Sequence, residues 1–246
     1  MPISRLLAVL LLWLCPALAG AQGLDVAPVQ VFLSPRDKSA MVSLRNGGSE
    51  AKRYQLKVMS WRQDERGEMK LEPTRDIALF PGLLSLKAGE ERNVRVGALT
   101  PFAAVEKAYR LFIEELPPPP APGKAQVRVL TRVGLPIFLE ASQPRVGTQL
   151  EPVALRDGKL SFALKNTGSR HVRPAFIRAR GLGRADKVLF EKEWTSWYVL
   201  AGDKRVYESD VPMPGCAGVR KVEVEIGAGD EPLRTTLVTP EGACGK

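Results

Sequence analysis

The sequence predicts an all-β protein built from two tandem domains of one architecture. Three observations carry that reading. Strand-like segments separated by turn residues run through the chain, no long stretch shows a 3.6-residue apolar period, and the second half repeats short patterns of the first. Composition agrees: 44% of the 246 residues are hydrophobic and 26% charged, which excludes a disordered chain. With only 22 Gly and no heptad run, collagen-like and coiled-coil architectures are excluded too.

In the first half, Val26–Leu33 is rich in apolar residues, Ala40–Leu44 alternates, and Tyr54–Trp61 is a long β-prone run. Asn93–Val96, Tyr109–Leu116 and Gln126–Leu139 follow. Between them stand the turn signals Ser34-Pro35, Asn46-Gly47-Gly48, Glu65-Arg66-Gly67, Ala88-Gly89 and the run Pro117–Pro120. Short strands with this spacing suit an antiparallel sandwich or barrel. Val127–Leu139 reads as one unusually long strand, with Val127, Val129, Val133, Leu135, Ile137 and Leu139 on one face and Arg128, Leu130 and Arg132 on the other. Two readings of it stand side by side. It is a core strand with its arginines in water, or an edge strand that lends apolar side chains to a partner chain. The prolines of 117–122 lack N–H donors, so the preceding loop lies outside any sheet ladder.

The second half carries the repeats. Ser43-Leu44-Arg45-Asn46-Gly47-Gly48-Ser49 matches Ala163-Leu164-Lys165-Asn166-Thr167-Gly168-Ser169, and Leu86-Lys87-Ala88-Gly89-Glu90-Glu91-Arg92 matches Val199-Leu200-Ala201-Gly202-Asp203-Lys204-Arg205. Pro28-Val29 and Pro152-Val153 form a third, weaker match in the same order. The junction is placed in Ala141–Gly147, giving domains over 22–142 and 143–246.

Residues 1–21 read as a secretory signal peptide: Arg5 at the start, an apolar run Leu6–Leu14, and Ala19-Gly20-Ala21 before the cut. Cleavage leaves 225 residues (246 minus 21) and lowers the net charge from +9 to +8, because Arg5 is lost. It also removes Cys15, leaving Cys216 and Cys244, an even pair that in an exported protein suggests one disulfide near the C-terminus. No later segment is long and apolar enough to span a membrane. The scattered basic residues carry no aromatic-interleaved patch, so nucleic acid is not expected as a partner. One His and so few Cys leave no metal site to expect, and no Gly-rich cofactor fingerprint is present.

Several segments together resemble the PapD-like periplasmic chaperones of the chaperone–usher pilus pathway. They are Val26–Leu33, Val42-Ser43-Leu44-Arg45-Asn46, Tyr109–Pro117 and Leu135-Pro136-Ile137-Phe138, the most specific being Tyr109-Arg110-Leu111-Phe112-Ile113-Glu114-Glu115-Leu116-Pro117. The Tyr109–Pro117 motif is similar to the divergent branches of the family that assemble simple, thin pili. The resemblance implies two immunoglobulin-like sandwiches in an L-shape and a periplasmic, non-enzymatic protein without cofactors. Its implied partners are pilus or fimbrial subunits and an outer-membrane usher, with self-association possible in the free state. Basic residues between the domains would hold a subunit's C-terminal carboxylate, and the last long strand of the first domain would complete the subunit's unfinished sandwich. At the family's usual basic positions this chain carries Gln30 and Pro136. Arg110 and Arg132 are therefore the candidate carboxylate anchors, and Val127, Val129 and Leu130 the candidate donor-strand residues. The alternative is an exported immunoglobulin-like structural or adhesive module.

Other features read as structural. A single His171 makes no catalytic triad, and no catalytic residue is expected. Trp61, Trp194 and Trp197 read as packing residues. Glu114 and Glu115 point to opposite faces of a strand, leaving Glu115 to oppose a cleft arginine.

Overall fold

A computed structural model describes residues 23–118, 129–211, 213–229, 231–239 and 243–244. The signal segment and Val127 lie outside the described residues. Ten strands precede the junction: β1 (Leu24–Ala27), β2 (Val31–Leu33), β3 (Ser39–Asn46), β4 (Lys52–Gln63), β5 (Met69–Pro73), β6 (Ile77–Phe80), β7 (Leu83–Leu86), β8 (Glu91–Ala98), β9 (Lys107–Leu116) and β10 (Arg132–Leu139). They form two sheets, β1-β3-β8-β6 and β2-β10-β9-β4-β5, with β7 also paired to β4. Eight more follow: β11 (Thr148–Leu150), β12 (Ala154–Arg156), β13 (Lys159–Asn166), β14 (Ile177–Leu182), β15 (Val188–Glu193), β16 (Lys204–Asp210), β17 (Lys221–Ile226) and β18 (Leu233–Val238). Their sheets are β11-β13-β12 with β16 on β13, and β15-β14-β17-β18. Among the described residues no sheet is shared across the junction, and the architecture is two open sandwiches, not a barrel.

Alternation builds each core. On β9 the odd residues Tyr109, Leu111 and Ile113 enter the first core together with Leu135, Ile137 and Leu139 of β10. Phe162, Leu164, Ala179, Val222, Val224 and Ile226 fill the second. The segment 24–33 crosses between sheets, because β1 pairs antiparallel with β3 whereas β2 pairs parallel with β10.

The two strong repeats meet each other in space. The buried Asn46 amide donates to the carbonyls of Glu50 (2.7 Å), Leu86 (3.1 Å) and Lys87 (3.1 Å), and its Oδ1 accepts from the Gly48 amide (3.0 Å). Asn166 does the same with Arg170 (2.8 Å), Val199 (3.0 Å), Leu200 (3.0 Å) and the Gly168 amide (2.9 Å). Each asparagine thus ties the end of one strand to the other repeated segment, whose turn needs the positive φ of Gly89 (71°) or Gly202 (79°). The third match does not hold as an equivalence: Val29 is exposed and Val153 is buried.

One other expectation needs correction. The run 127–139 is not one long strand; the ladder starts at Arg132. Strands β5, β6 and β7 had no clear alternation to announce them, being short and half-exposed. Cys216 and Cys244 are disulfide-bonded, with a Cα–Cα distance of 5.7 Å, and join the helical turn α1 (Met213–Cys216) to the C-terminal end of the second core.

Removing either asparagine amide takes a donor from three carbonyls at a strand end and turn, of which Lys87, Val199 and Leu200 keep only a backbone amide. Asn46→Ala and Asn166→Ala should each lower the unfolding free energy by about 3 kcal/mol in urea titration. Asn→Asp should be no milder, because it too lacks the donor.

Candidate functional site

The even residues of β9 and β10 face away from the first core, toward the second sandwich. Cross-strand register places Ala108 beside Phe138, Arg110 beside Pro136, Phe112 beside Gly134 and Glu114 beside Arg132. β4 continues this face with Met59 next to Arg110 and Lys57 next to Phe112. Phe138 is fully buried in a junction cluster with Trp61 of β4 and with Tyr198 and Leu200 of the second sandwich. The lone histidine belongs to the same junction. His171 stacks on Phe138 at 3.8 Å, its backbone N–H donates to Glu106 Oε1 (2.9 Å), and its Nδ1 lies 2.8 Å from that oxygen. A carboxylate only accepts, so Nδ1 carries the proton. Gln30 donates through Nε2 to the Tyr198 hydroxyl. A second contact joins the domains where the Val206 amide donates to the Glu65 carbonyl (2.7 Å) and Lys204 pairs with Glu65 (3.2 Å).

The two candidate arginines have different surroundings. Arg110 is only 5% exposed. Its guanidinium lies over the rings of Trp61 (4.4 Å) and Trp197 (5.4 Å), and Nη1 makes one long contact to the Gly134 carbonyl (3.4 Å). Its Nε is buried without a hydrogen-bond partner, and among the described residues no carboxylate pairs with it. Burial pushes the guanidinium below its ordinary value, but Arg titrates so high that the group stays charged at neutral pH. Arg132 is exposed, pairs with Glu114 at 2.9 Å, and lies over Phe112 at 4.3 Å. The two stand four residues apart along this face, roughly 14 Å at the usual strand rise. They do not converge on one point.

Neither Trp61 nor Trp197 was expected in this role. They are 136 positions apart, and no local pattern marks either. Glu114, not Glu115, opposes the outer-face arginine, because Glu114 shares parity with Arg110 while Glu115 sits on the core side. Glu115 instead pairs with Lys52 (3.1 Å) and accepts from the Thr131 amide (3.1 Å), while its own amide donates to the Thr131 carbonyl (2.9 Å). That clip ends the ordered pairing upstream of β10. Beyond it, Val129 is 92% exposed and Leu130 44% exposed. Both line an open groove of about 710 Å³ with Lys52, Arg53, Glu115 and Leu116. Within β10 only Ile137–Leu139 pair with β2, so the outer edge of Arg132–Leu135 has no strand partner among the described residues.

Residues 23–143, spanning this whole face of the first sandwich, match the family described as the pili and flagellar-assembly chaperone, PapD N-terminal domain. The chain is a PapD-like chaperone. Its family and fold indicate a pilus-assembly chaperone of the chaperone–usher pathway. No curated protein matches the sequence. Solved structures match the fold over nearly the full length. One is the CsuC–CsuE chaperone–tip adhesion subunit pre-assembly complex from archaic chaperone–usher Csu pili of Acinetobacter baumannii (TM-score 0.61, 19% identity, 89% of this chain and 100% of that one). Another is the class 5 fimbriae chaperone CfaA (TM-score 0.57, 13% identity, 89% and 100%). A third is the Salmonella enterica SafA pilin in complex with the SafB chaperone (TM-score 0.54, 15% identity, 87% and 96%). At these identities the likeness speaks for the fold.

The chaperone's Glu115 clip is pH-sensitive with a definite sign. Burial works against its ionisation, but the Thr131 amide and the Lys52 ammonium outweigh that and hold its carboxyl below the usual range. A depressed carboxyl contributes stability that is complete above its unfolded value and is lost as pH falls through the folded one. Amide exchange at Thr131 should therefore stay protected at neutral pH and open as the solution is acidified past the ordinary carboxylate range. Glu115→Gln should weaken that protection at neutral pH, match the unaltered protein in acid, and so flatten its pH dependence.

Proposed function

We propose that this chaperone binds a pilus or fimbrial subunit in the periplasm, supplies the strand that the subunit lacks, and hands it to an outer-membrane usher. The observation that carries the reading is Arg110, a buried and charged guanidinium with an unpartnered Nε and, among the described residues, no carboxylate paired with it. Buried charges are ordinarily paired, because an uncompensated one costs several kcal/mol. A subunit's C-terminal carboxylate supplies the missing partner through two parallel N–H···O bonds. Arg110 stands across from Pro136, so the basic group has moved one strand over from the position where the family's lysine is expected. Arg132 already has Glu114 and serves as a weaker, outer contact.

The donor strand is the segment entering β10. Val129 and Leu130 are exposed in the free protein, and burying such a side chain against a partner contributes about 1.5–3 kcal/mol. The open edge of Arg132–Leu135 offers backbone pairing to the same partner. Val127 extends this series upstream. Val133, Leu135, Ile137 and Leu139 serve the chaperone's own core and are not donors. No cofactor or catalytic step enters this account. The solved complexes of CsuC with a tip adhesion subunit and of SafB with a pilin support subunit binding by such a chaperone.

The test is capture from native periplasm with the mature chain as bait, followed by mass spectrometry and titration of the purified partner. A small sandwich subunit lacking one strand is expected. Arg110→Ala should weaken its binding by 10- to 100-fold, the range of one or two charge-assisted hydrogen bonds. Arg132→Ala should cost less than about fivefold, as for an exposed ion pair. Val127→Asp with Val129→Asp should abolish the complex; a complex of undiminished affinity would refute donor-strand completion.

A further inference from the structure

We infer that Trp61 and Trp197 form a cage, one wall from each sandwich, that positions the Arg110 guanidinium for the incoming carboxylate and ties capture to the domain junction. The inference rests on the proposed reading of Arg110 as the anchor. The first sandwich contributes the indole of Trp61, from β4, with the guanidinium carbon 4.4 Å from the ring centroid. The second contributes Trp197, at 5.4 Å, from the connection between β15 and β16. The two indoles are linked through one further ring. Tyr198 meets Trp61 edge-on at 5.6 Å and Trp197 edge-on at 5.4 Å. Tyr198 is in turn held by Gln30, so a residue of the first strand region braces the cage from behind.

The chemistry of the two partners is complementary. Ring faces attract a cation by their quadrupole and do so best when water is excluded, as it is here. They offer no hydrogen-bond acceptors to the N–H groups, so the guanidinium is held while its donors stay largely unspent. A carboxylate approaches a guanidinium along its N–H rim, and among the described residues no acidic side chain pairs with that of Arg110, whose one hydrogen bond is the long Nη1 contact to the Gly134 carbonyl. An acidic side chain in the cage would have filled that rim and competed with the ligand, as Glu114 does for Arg132. The cage therefore keeps a charged arginine buried, oriented and unneutralised in the free protein. Because one wall belongs to each sandwich, a change in how they meet alters the anchor without touching the ligand. Trp61 and Trp197 are positioning residues in this scheme.

The experiment uses the mature chain and a simple probe, N-acetyl-tetraalanine as the free acid and as its C-terminal amide, followed by tryptophan fluorescence and by the NMR signal of Arg110 Nε–H. In the unaltered protein the acid should bind at least 10-fold more tightly than the amide, and it alone should shift the Nε–H resonance. Trp197→Leu should reduce that preference to below threefold with an unchanged thermal unfolding midpoint. Trp197→Phe, which keeps a ring face, should restore most of it. If Trp197→Leu keeps the full preference, the cage is refuted while Arg110 remains the anchor. If the unaltered protein does not distinguish acid from amide, the anchor reading falls and the cage with it. Should Trp197→Leu unfold, the decision passes to the unaltered protein. An Nε–H proton displaced upfield by the indole rings supports the cage, and one at its ordinary position overturns it.

Discussion

Phe138 is the residue on which the two sandwiches meet. It lies on β10, whose odd residues fill the first core, and it faces the other way. One strand thereby serves two apolar clusters, its own sandwich and the junction with Trp61, Tyr198 and Leu200. Stacking of His171 on Phe138 and the Glu106 contact to His171 fix the second sandwich at the same point. Everything that makes the outer face of the first sheet chemically unusual follows from that docking. Without the second domain, Arg110 would be one more arginine on an exposed sheet. With it, Arg110 is desolvated and walled by Trp197.

The contrast between Arg110 and Arg132 shows how burial and pairing have been separated along a single strand pair. Arg132 is exposed and has a carboxylate, so its charge is satisfied and weakly consequential. Arg110 is buried and lacks one, the arrangement that costs most in a protein standing alone. Aromatic faces offset part of that cost, by about 0.5–2 kcal/mol for each good contact. The remainder favours an external anion. An unsatisfied buried group of this kind is easier to explain by a ligand than by folding, since two apolar residues in its place would pack the junction without a penalty.

Much of the architecture was legible because it depends on local rules. Asn46 and Asn166, with the glycine turns that they bind, announced the repeat; each is a self-contained device of a buried amide, a turn and a neighbouring strand end. Arg110 was reached through the family resemblance, as an arginine on a strand expected to border the cleft where Gln30 and Pro136 replace the usual basic residues. The start of β10 was not legible. Val127, Val129 and Val133 share one parity, and alternation cannot tell a strand that has a partner from one that has none. What limits the ladder is outside that pattern: the Glu115 clip on Thr131, and the proline run that follows β9 and removes its N–H donors. The tryptophan cage was invisible for a different reason. Its walls come from separate domains, and only their docking brings them together.

The spacing of the two functional devices has a consequence of its own in the proposed reading. Arg110 is aligned with Pro136, and the open edge runs from Leu135 back to Arg132, with Leu130 and Val129 beyond it. From Pro136 to Leu130 is roughly 20 Å of extended chain. A subunit that places its carboxylate on Arg110 can pair with this edge in only one register, since a slip of one residue turns every side chain to the opposite face. The anchor therefore acts less as a source of affinity than as an origin of coordinates. Exposed apolar residues alone would attract many partners in many alignments. A single buried charge at a fixed distance from them selects a chain end, and with it one alignment.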